Sequence, residues 1–210
     1  MRSAAPRLRN AIKTDSMQIE RVIVGVKTLG PGNRLAIWVN GCHRRCPGCV
    51  SPRLRRFRVD HERDVKQLLG MLDLSGVDGV TVSGGEPFEQ PDGIVEIAEF
   101  CKGRGIDDIL VYSGYTLEQL RARRDKSTDD ALAAISVLID GEYVAELDDG
   151  EDNLAGSRNQ RVIFLDERVR PTYEKYRKRE REMQQFRTDD KAIAVGIPDA
   201  EFIRSFKYDK

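Results

Sequence analysis

The chain carries no net charge: 35 Lys and Arg residues balance 35 Asp and Glu residues among 210. No overall field draws it to nucleic acid or to an anionic membrane, so neither is an expected partner. It also lacks any apolar run as long as a membrane-spanning helix, and its opening MRSAAPRLRNAIKTDSMQIERVIV has no apolar leader core. A cytoplasmic protein is expected. Low-complexity tracts and internal repeats are missing too. Histidine is scarce, with 2 residues, and cysteine is limited to 4. Without a secretory leader, such cysteines point to metal binding or redox chemistry rather than to a disulfide scaffold. What remains, 40% apolar and 33% charged residues with a mean hydropathy of −0.51, is the composition of one soluble folded domain.

Residues 1–17 mix Arg, Ala, Pro and Ser without period and read as a loosely ordered extension; the domain is expected over 18–198, with 199–210 as a tail. Apolar, β-branched runs at 22–26 and 35–39 flank TLGPGNR, whose GPG is turn chemistry, and predict two strands. Val65, Leu68, Leu69 and Leu72 fall at helical spacing, as do Ile94, Ile97, Ala98 and Cys101. Between those helices, 79–82 reads as a buried strand stopped by SGGEP. A strand at 109–112 leads through SGY to a helix opened by the Thr116–Gln119 capping box. Further strands are expected at 135–140, 161–165 and 192–195, and a charged helix over 171–186 begins at Pro171. The alternation predicts a parallel α/β sheet with right-handed crossovers, whose functional residues gather where strands end. SGGE, YSGY and DGE should therefore meet at one rim.

GCHRRCPGC places Cys42, Cys46 and Cys49 in the spacing C-x3-C-x2-C. Cys101 shares the apolar face of its helix and reads as a small core hydrophobe. A structural zinc wants four Cys or His ligands, but His43 is too close along the chain to Cys42 to share a tetrahedral ion comfortably, and His61 is remote. An odd set of thiols also argues against a self-contained disulfide. A 4Fe-4S cube suits three thiolates better, because its irons are separate corners and one is left open to bind something. Gly48 lets the loop turn tightly, and loop amides can hydrogen-bond the sulfides. Arg53, Arg55, Arg56 and Arg58 follow; they read as a solvated face, with the steering of an acidic partner as the second reading.

This cysteine loop, with SGGEP about 35 residues further on after a predicted strand, resembles the radical S-adenosylmethionine superfamily. GPGNRLAIWVNGCHRRCPGC, VSGGEP, VYSGYT, VLIDGEYV, AGSRNQRVI and VGIP, spread over residues 18 to 198, are most similar to the anaerobic ribonucleotide reductase type of glycyl-radical-enzyme activating enzymes. The resemblance implies an incomplete (β/α)6-type barrel of parallel strands, open on one side. It implies a 4Fe-4S cluster on Cys42, Cys46 and Cys49, with S-adenosylmethionine chelating the open iron. One electron would cleave that cofactor to methionine and a 5'-deoxyadenosyl radical, which in the family takes a hydrogen atom from a glycine of a partner enzyme. A flavodoxin- or ferredoxin-type protein would supply the electron.

Carried onto this sequence, the resemblance has Gly48 and Val50 line the cofactor, and Gly84, Gly85 and Glu86 meet its methionyl end. Ser113 and Asp140 are strand-end groups for its ribose or carboxylate, with turn and N-cap duty as the alternative. Asn159 and Arg161 belong to a polar cluster where the arginine could pair with a cofactor or partner carboxylate, or hold a loop. Where family members commonly carry an aromatic residue soon after the cysteines, this chain has CVSPRLRRF. Two other readings stay open: a radical enzyme acting on a small molecule or peptide, and a non-enzymatic iron-sulfur or zinc module, in which GGEP has no task.

Overall fold

The computed structural model describes residues 16–187, 192–199 and 202. Its elements, in order, are β1 (Ser16–Val26), β2 (Arg34–Val39), β3 (Glu62–Asp64), α1 (Val65–Gly70), β4 (Gly79–Gly84), α2 (Pro91–Lys102) and β5 (Asp108–Tyr112). There follow α3 (Leu117–Ala122), α4 (Lys126–Ala134), β6 (Val137–Asp140), β7 (Arg161–Phe164), α5 (Arg170–Arg177), β8 (Gln184–Arg187) and β9 (Ala192–Val195). One seven-stranded sheet has the order β3-β1-β2-β4-β5-β6-β7, and β8 and β9 form a separate hairpin.

β2, β4, β5 and β6 run parallel, whereas β1 and β3 on one flank and β7 on the other are antiparallel to their neighbours. The architecture is α/β with a mixed sheet, and among the described residues β3 and β7 remain its edges rather than closing a barrel. β-branched content announces a strand but not its direction. The connection 141–160 returns β7 antiparallel beside β6, and the pair is extended at its far end by Leu165 N donating to Ser136 O at 2.9 Å.

Alternation along the strands sorts side chains onto two faces. Leu35, Ile37, Val39, Ile109, Val111 and Leu138 pack with the inner faces of α1 to α4. Leu110, Val137 and Ile139 meet Tyr173 and Tyr176 of α5 on the other side, while Ala36 lies beneath the hairpin with Val195. Each such fully buried side chain contributes about 1.5–3 kcal/mol of hydrophobic stabilisation. Cys101 is enclosed in the larger cluster, as its helix face predicts.

The domain start and the end of the charged helix differ from the sequence reading, and a further helix appears after Thr116. Ser16 and Met17 already belong to β1, with Met17 buried, so ordered structure includes at least two residues before Gln18; residues 1–15 and most of the 199–210 tail lie outside the described residues. The helix after Thr116 stops at Ala122, Arg124 turns the chain at φ +52°, and Asp125 caps a second helix by accepting from Thr128 N. The charged 171–186 helix ends at Arg177. Tyr173 and Tyr176 give it one buried turn, the charged run after them offers nothing to bury, and Gln184–Arg187 pairs with β9 instead.

Candidate functional site

The C-terminal ends of the parallel strands carry the predicted motifs, and the structure brings them together. After β2 the chain turns at Gly41, φ +93°, where a Cβ would lie 2.4 Å from the Phe57 ring. Gly41 N and Cys42 N then donate to Leu54 O and Arg55 O at 2.8 and 2.9 Å, and Arg55 Nη2 donates to Cys46 O at 3.1 Å. The Pro52–Arg55 turn thus clasps the cysteine loop from behind, which gives the arginine run one structural member. Arg58 instead forms an exposed ion pair with Asp60.

Cys42, Cys46 and Cys49 are all half-buried free thiols. Cys49 N donates to Cys46 O across the Pro47–Gly48 turn, at 3.3 Å. At Gly48 a Cβ would press on Ala145 and Tyr143, at 3.0 and 3.1 Å, so this glycine lets the loop lie against the segment after β6. Val50, next to the last cysteine, is 38% exposed. Burial, and then Glu86, push the Cys42 thiol up to about 11. Cys46 is also raised, by burial first and Glu142 next, with Arg44 pulling the other way.

Gly84 and Gly85 are explained by close approach of backbones. Gly84 has φ +113°, and a Cβ there would sit 2.5 Å from Val39 N; one on Gly85 would sit 2.4 Å from Gly41 O. Gly85 N and Glu86 N donate to Val39 O and Gly41 O, at 2.7 and 2.8 Å. The SGGE turn is thereby seated directly on the base of the cysteine loop.

Glu86 turns inward. Its carboxylate accepts from Phe88 N at 3.0 Å, Ser113 Oγ at 2.9 Å and Gly114 N at 2.7 Å, and burial lifts its pKa to about 7 against those three bonds. Ser113 Oγ also accepts from Tyr115 N. Asp140, fully buried, accepts from Leu117 N at the start of α3 and pairs with Arg161, which also grips Glu118. Asn159 Nδ2 donates to Glu142 O at 2.6 Å. Ser113, Asp140, Asn159 and Arg161 therefore all hold the loops of the rim in this state. SGGE, YSGY and DGE do meet there.

Arg44, Glu89, Tyr115 and Glu142, four residues that sequence reasoning passed over, tie the C-x3-C segment down together with His43. His43 Nδ1 lies 2.9 Å from Glu89 Oε2, and Tyr115 Oη donates to Glu89 Oε1 at 2.8 Å. Arg44 Nη2 donates to Glu142 Oε2 at 2.7 Å, and its guanidinium lies over the Tyr115 ring. Tyr115 belongs to the YSGY motif and Glu142 to DGE, so the strand-end rule that selected Ser113 and Asp140 was the signal that could have found them.

Among the described residues no three His, Cys, Asp or Glu side chains converge as they would on a single metal ion. His43 and His61 are engaged elsewhere, with Glu89 and with Glu20. Three unpaired thiols on one clasped loop fit a multi-iron cluster, whose corners take one thiolate each, better than a tetrahedral ion.

Residues 28–163 match the family described as 4Fe-4S single cluster domain. The anaerobic ribonucleoside-triphosphate reductase-activating protein of Escherichia coli (strain K12) is 31% identical over 150 residues, covering 65% of this chain and 91% of the relative. The protein of that name from Enterobacteria phage T4 is 30% identical over 139 residues, 63% of this chain and 85% of its own. A pyruvate formate-lyase-activating enzyme from Clostridium pasteurianum is 36% identical over 93 residues, 41% of this chain and 39% of its own.

Proposed function

The chain belongs to the radical S-adenosylmethionine activating enzymes, within the 4Fe-4S single cluster domain family, and from that premise we propose that it activates a glycyl-radical enzyme by taking a hydrogen atom from a glycine of that partner. It is an enzyme whose cofactors are a 4Fe-4S cluster and S-adenosylmethionine. In this reading Cys42, Cys46 and Cys49 hold the cluster. When bound, the two groups together supply reductive cleavage of a carbon–sulfur bond and the hydrogen-atom abstraction that follows it.

The chain's own residues prepare the place. The Pro52–Arg55 turn and the Gly84–Gly85 backbone hold the base of the loop that carries the thiols from two sides. Glu86, Ser113 and Asp140 act by holding the strand-end loops, and Gly48 and Val50 flank the last thiol. Asn159 and Arg161 close the rim on the β7 side. The sheet, unclosed between β3 and β7, is read as the incomplete (β/α)6-type barrel, with its open side admitting a polypeptide loop. The partner is taken to be of the anaerobic ribonucleotide reductase kind, and the electron donor a flavodoxin- or ferredoxin-type protein in the cytoplasm. No helix among the described residues is long and apolar enough to cross a membrane.

The observation that carries the reading is three free thiols on one clasped loop, with no cluster of His, Cys, Asp and Glu side chains set for a single metal ion among the described residues. The test is anaerobic reconstitution with iron and sulfide, reduction, and addition of S-adenosylmethionine. 5'-Deoxyadenosine should form, and with the partner enzyme present a glycyl-radical signal should appear. Cluster-loaded protein that forms no 5'-deoxyadenosine overturns the enzyme reading; cleavage that never transfers to any glycyl-radical partner overturns the substrate.

A further inference from the structure

Between Glu20 and Asp60 the chain holds no acidic residue, although acids and bases balance over its whole length. Three of the basic residues in that stretch find acids elsewhere: Arg34 pairs with Asp108, Arg44 with Glu142 and Arg58 with Asp60. Arg45 and Arg56 are exposed and make no ion pair among the described residues. The fold sets their two segments side by side. Cys42 N donates to Arg55 O at 2.9 Å, Arg55 Nη2 donates to Cys46 O at 3.1 Å, and the Phe57 ring lies 4.9 Å from that of His43. Phe57 is nevertheless 41% exposed and Val59 75%, so two apolar side chains reach water amid the arginines. The rim touches the same loop at another point, where Tyr143 and Ala145 lie against Gly48.

A local excess of positive charge on a neutral protein draws an acidic macromolecule, and arginines around exposed aromatic and aliphatic groups are the make-up of a protein-binding patch. We propose that Arg45, Arg56, Phe57 and Val59 form the docking surface for an acidic protein that carries single electrons, and that the electron reaches the cysteine loop from this side. The proposal rests on the reading of Cys42, Cys46 and Cys49 as cluster ligands. A short patch suits such a partner, since redox encounters bury less surface than lasting complexes and depend on charge for their rate. The bonds to Cys42 N and Cys46 O bring a protein docked there close to the thiols, and the strand-end rim, where Gly48 meets Tyr143, stays clear for the other reactants. The donor loses one electron and the group on the three thiols gains it; no bond on the chain forms or breaks.

The test uses full-length protein reconstituted anaerobically: wild type, Arg56→Glu, Val59→Asp and, as a charge control on α3, the exposed Arg121→Glu. Formation of 5'-deoxyadenosine is driven either by dithionite or by a reduced acidic flavodoxin, which serves as the probe donor. Dithionite should serve all four equally. With flavodoxin at low salt, Arg56→Glu should lower kcat/KM for the donor about tenfold, Val59→Asp should also lower it, and Arg121→Glu should match wild type. Added salt should slow wild type toward the Arg56→Glu rate, because screening removes what the substitution removes. Flavodoxin rates that coincide across the variants, or a wild type that dithionite reduces and flavodoxin does not, overturn the proposal. So does a loss of glycyl-radical formation in Arg56→Glu under dithionite, which would assign this face to the glycyl-radical partner. If Arg56→Glu takes up no iron, Val59→Asp decides: a loss confined to the flavodoxin-driven reaction supports the surface, and an unchanged rate overturns it. Wild type that forms no 5'-deoxyadenosine even with dithionite brings down the enzyme reading, and the docking surface with it.

Discussion

Glu86 shows how an enclosed charge reports on its surroundings. Burial lifts its pKa from an ordinary 4.5 to about 7, although three donors favour the charged form. The folded chain therefore binds the extra proton between those values, and the unfolded chain does not. The contribution of Glu86 to stability is therefore fullest below about 4.5 and is lost as pH rises to 7, a total change of the order of 3 kcal/mol. Chemical denaturation of cluster-free protein between about pH 4.5 and 7.5 should show this decline. Glu86→Gln should lower the baseline, because Gly114 N loses its acceptor, and flatten the slope; a wild-type curve already flat over that range would refute the assignment. The cysteines divide in the same way. Cys46→Ala should abolish iron loading and cofactor cleavage together, whereas Cys101→Ala should keep both and lose about 1 kcal/mol from a small core cavity. Iron retained in the first variant would disprove the ligand set.

Between elements, the decisive junction is that of β2 with β4. Parallel pairing runs from Arg34 opposite Gly79 to Val39 opposite Gly84, and at its end the two backbones come too close for any side chain. Gly85→Ala would place a methyl 2.4 Å from Gly41 O, a backbone atom that cannot swing aside. We expect a loss of about 2–3 kcal/mol and poor iron loading, since the SGGE turn must lift away from the cysteine loop. Melting temperature and iron content test this, and an undisturbed variant would show that the contact is not needed. Much at this scale was legible in the sequence: the strand runs, the capping box at Thr116, and the convergence of three strand-end motifs. Strand direction was not, because apolar content is the same either way, and β7 proved antiparallel to β6. Nor were the links from His43 to Glu89 and from Arg44 to Glu142, 46 and 98 residues apart, because only the folded rim brings those loops into contact.

Across the whole molecule the two ends of the sheet do different work. The thiols lie where the parallel strands finish; where they start, Arg34 is wholly buried and donates to Thr81 Oγ1, Val80 O, Pro31 O and Asp108 Oδ2. Asp108 Oδ1 accepts in turn from Tyr173 of α5, at 2.7 Å, so one carboxylate joins β2, β5 and the helix on the opposite face. Removing it leaves a guanidinium buried without its counter-charge, which typically costs about 3–5 kcal/mol. Asp108→Ala should therefore lower the denaturation midpoint sharply. Because the network is at the far end of the strands from the cysteine loop, 5'-deoxyadenosine formed per iron-loaded molecule should stay at the wild-type level when measured well below the new melting temperature. A variant with unchanged stability and impaired cleavage would contradict this division. It would mean that strain at the start of β5 reaches Ser113 and Gly114 at its end, and through Glu86 the base of the thiol loop.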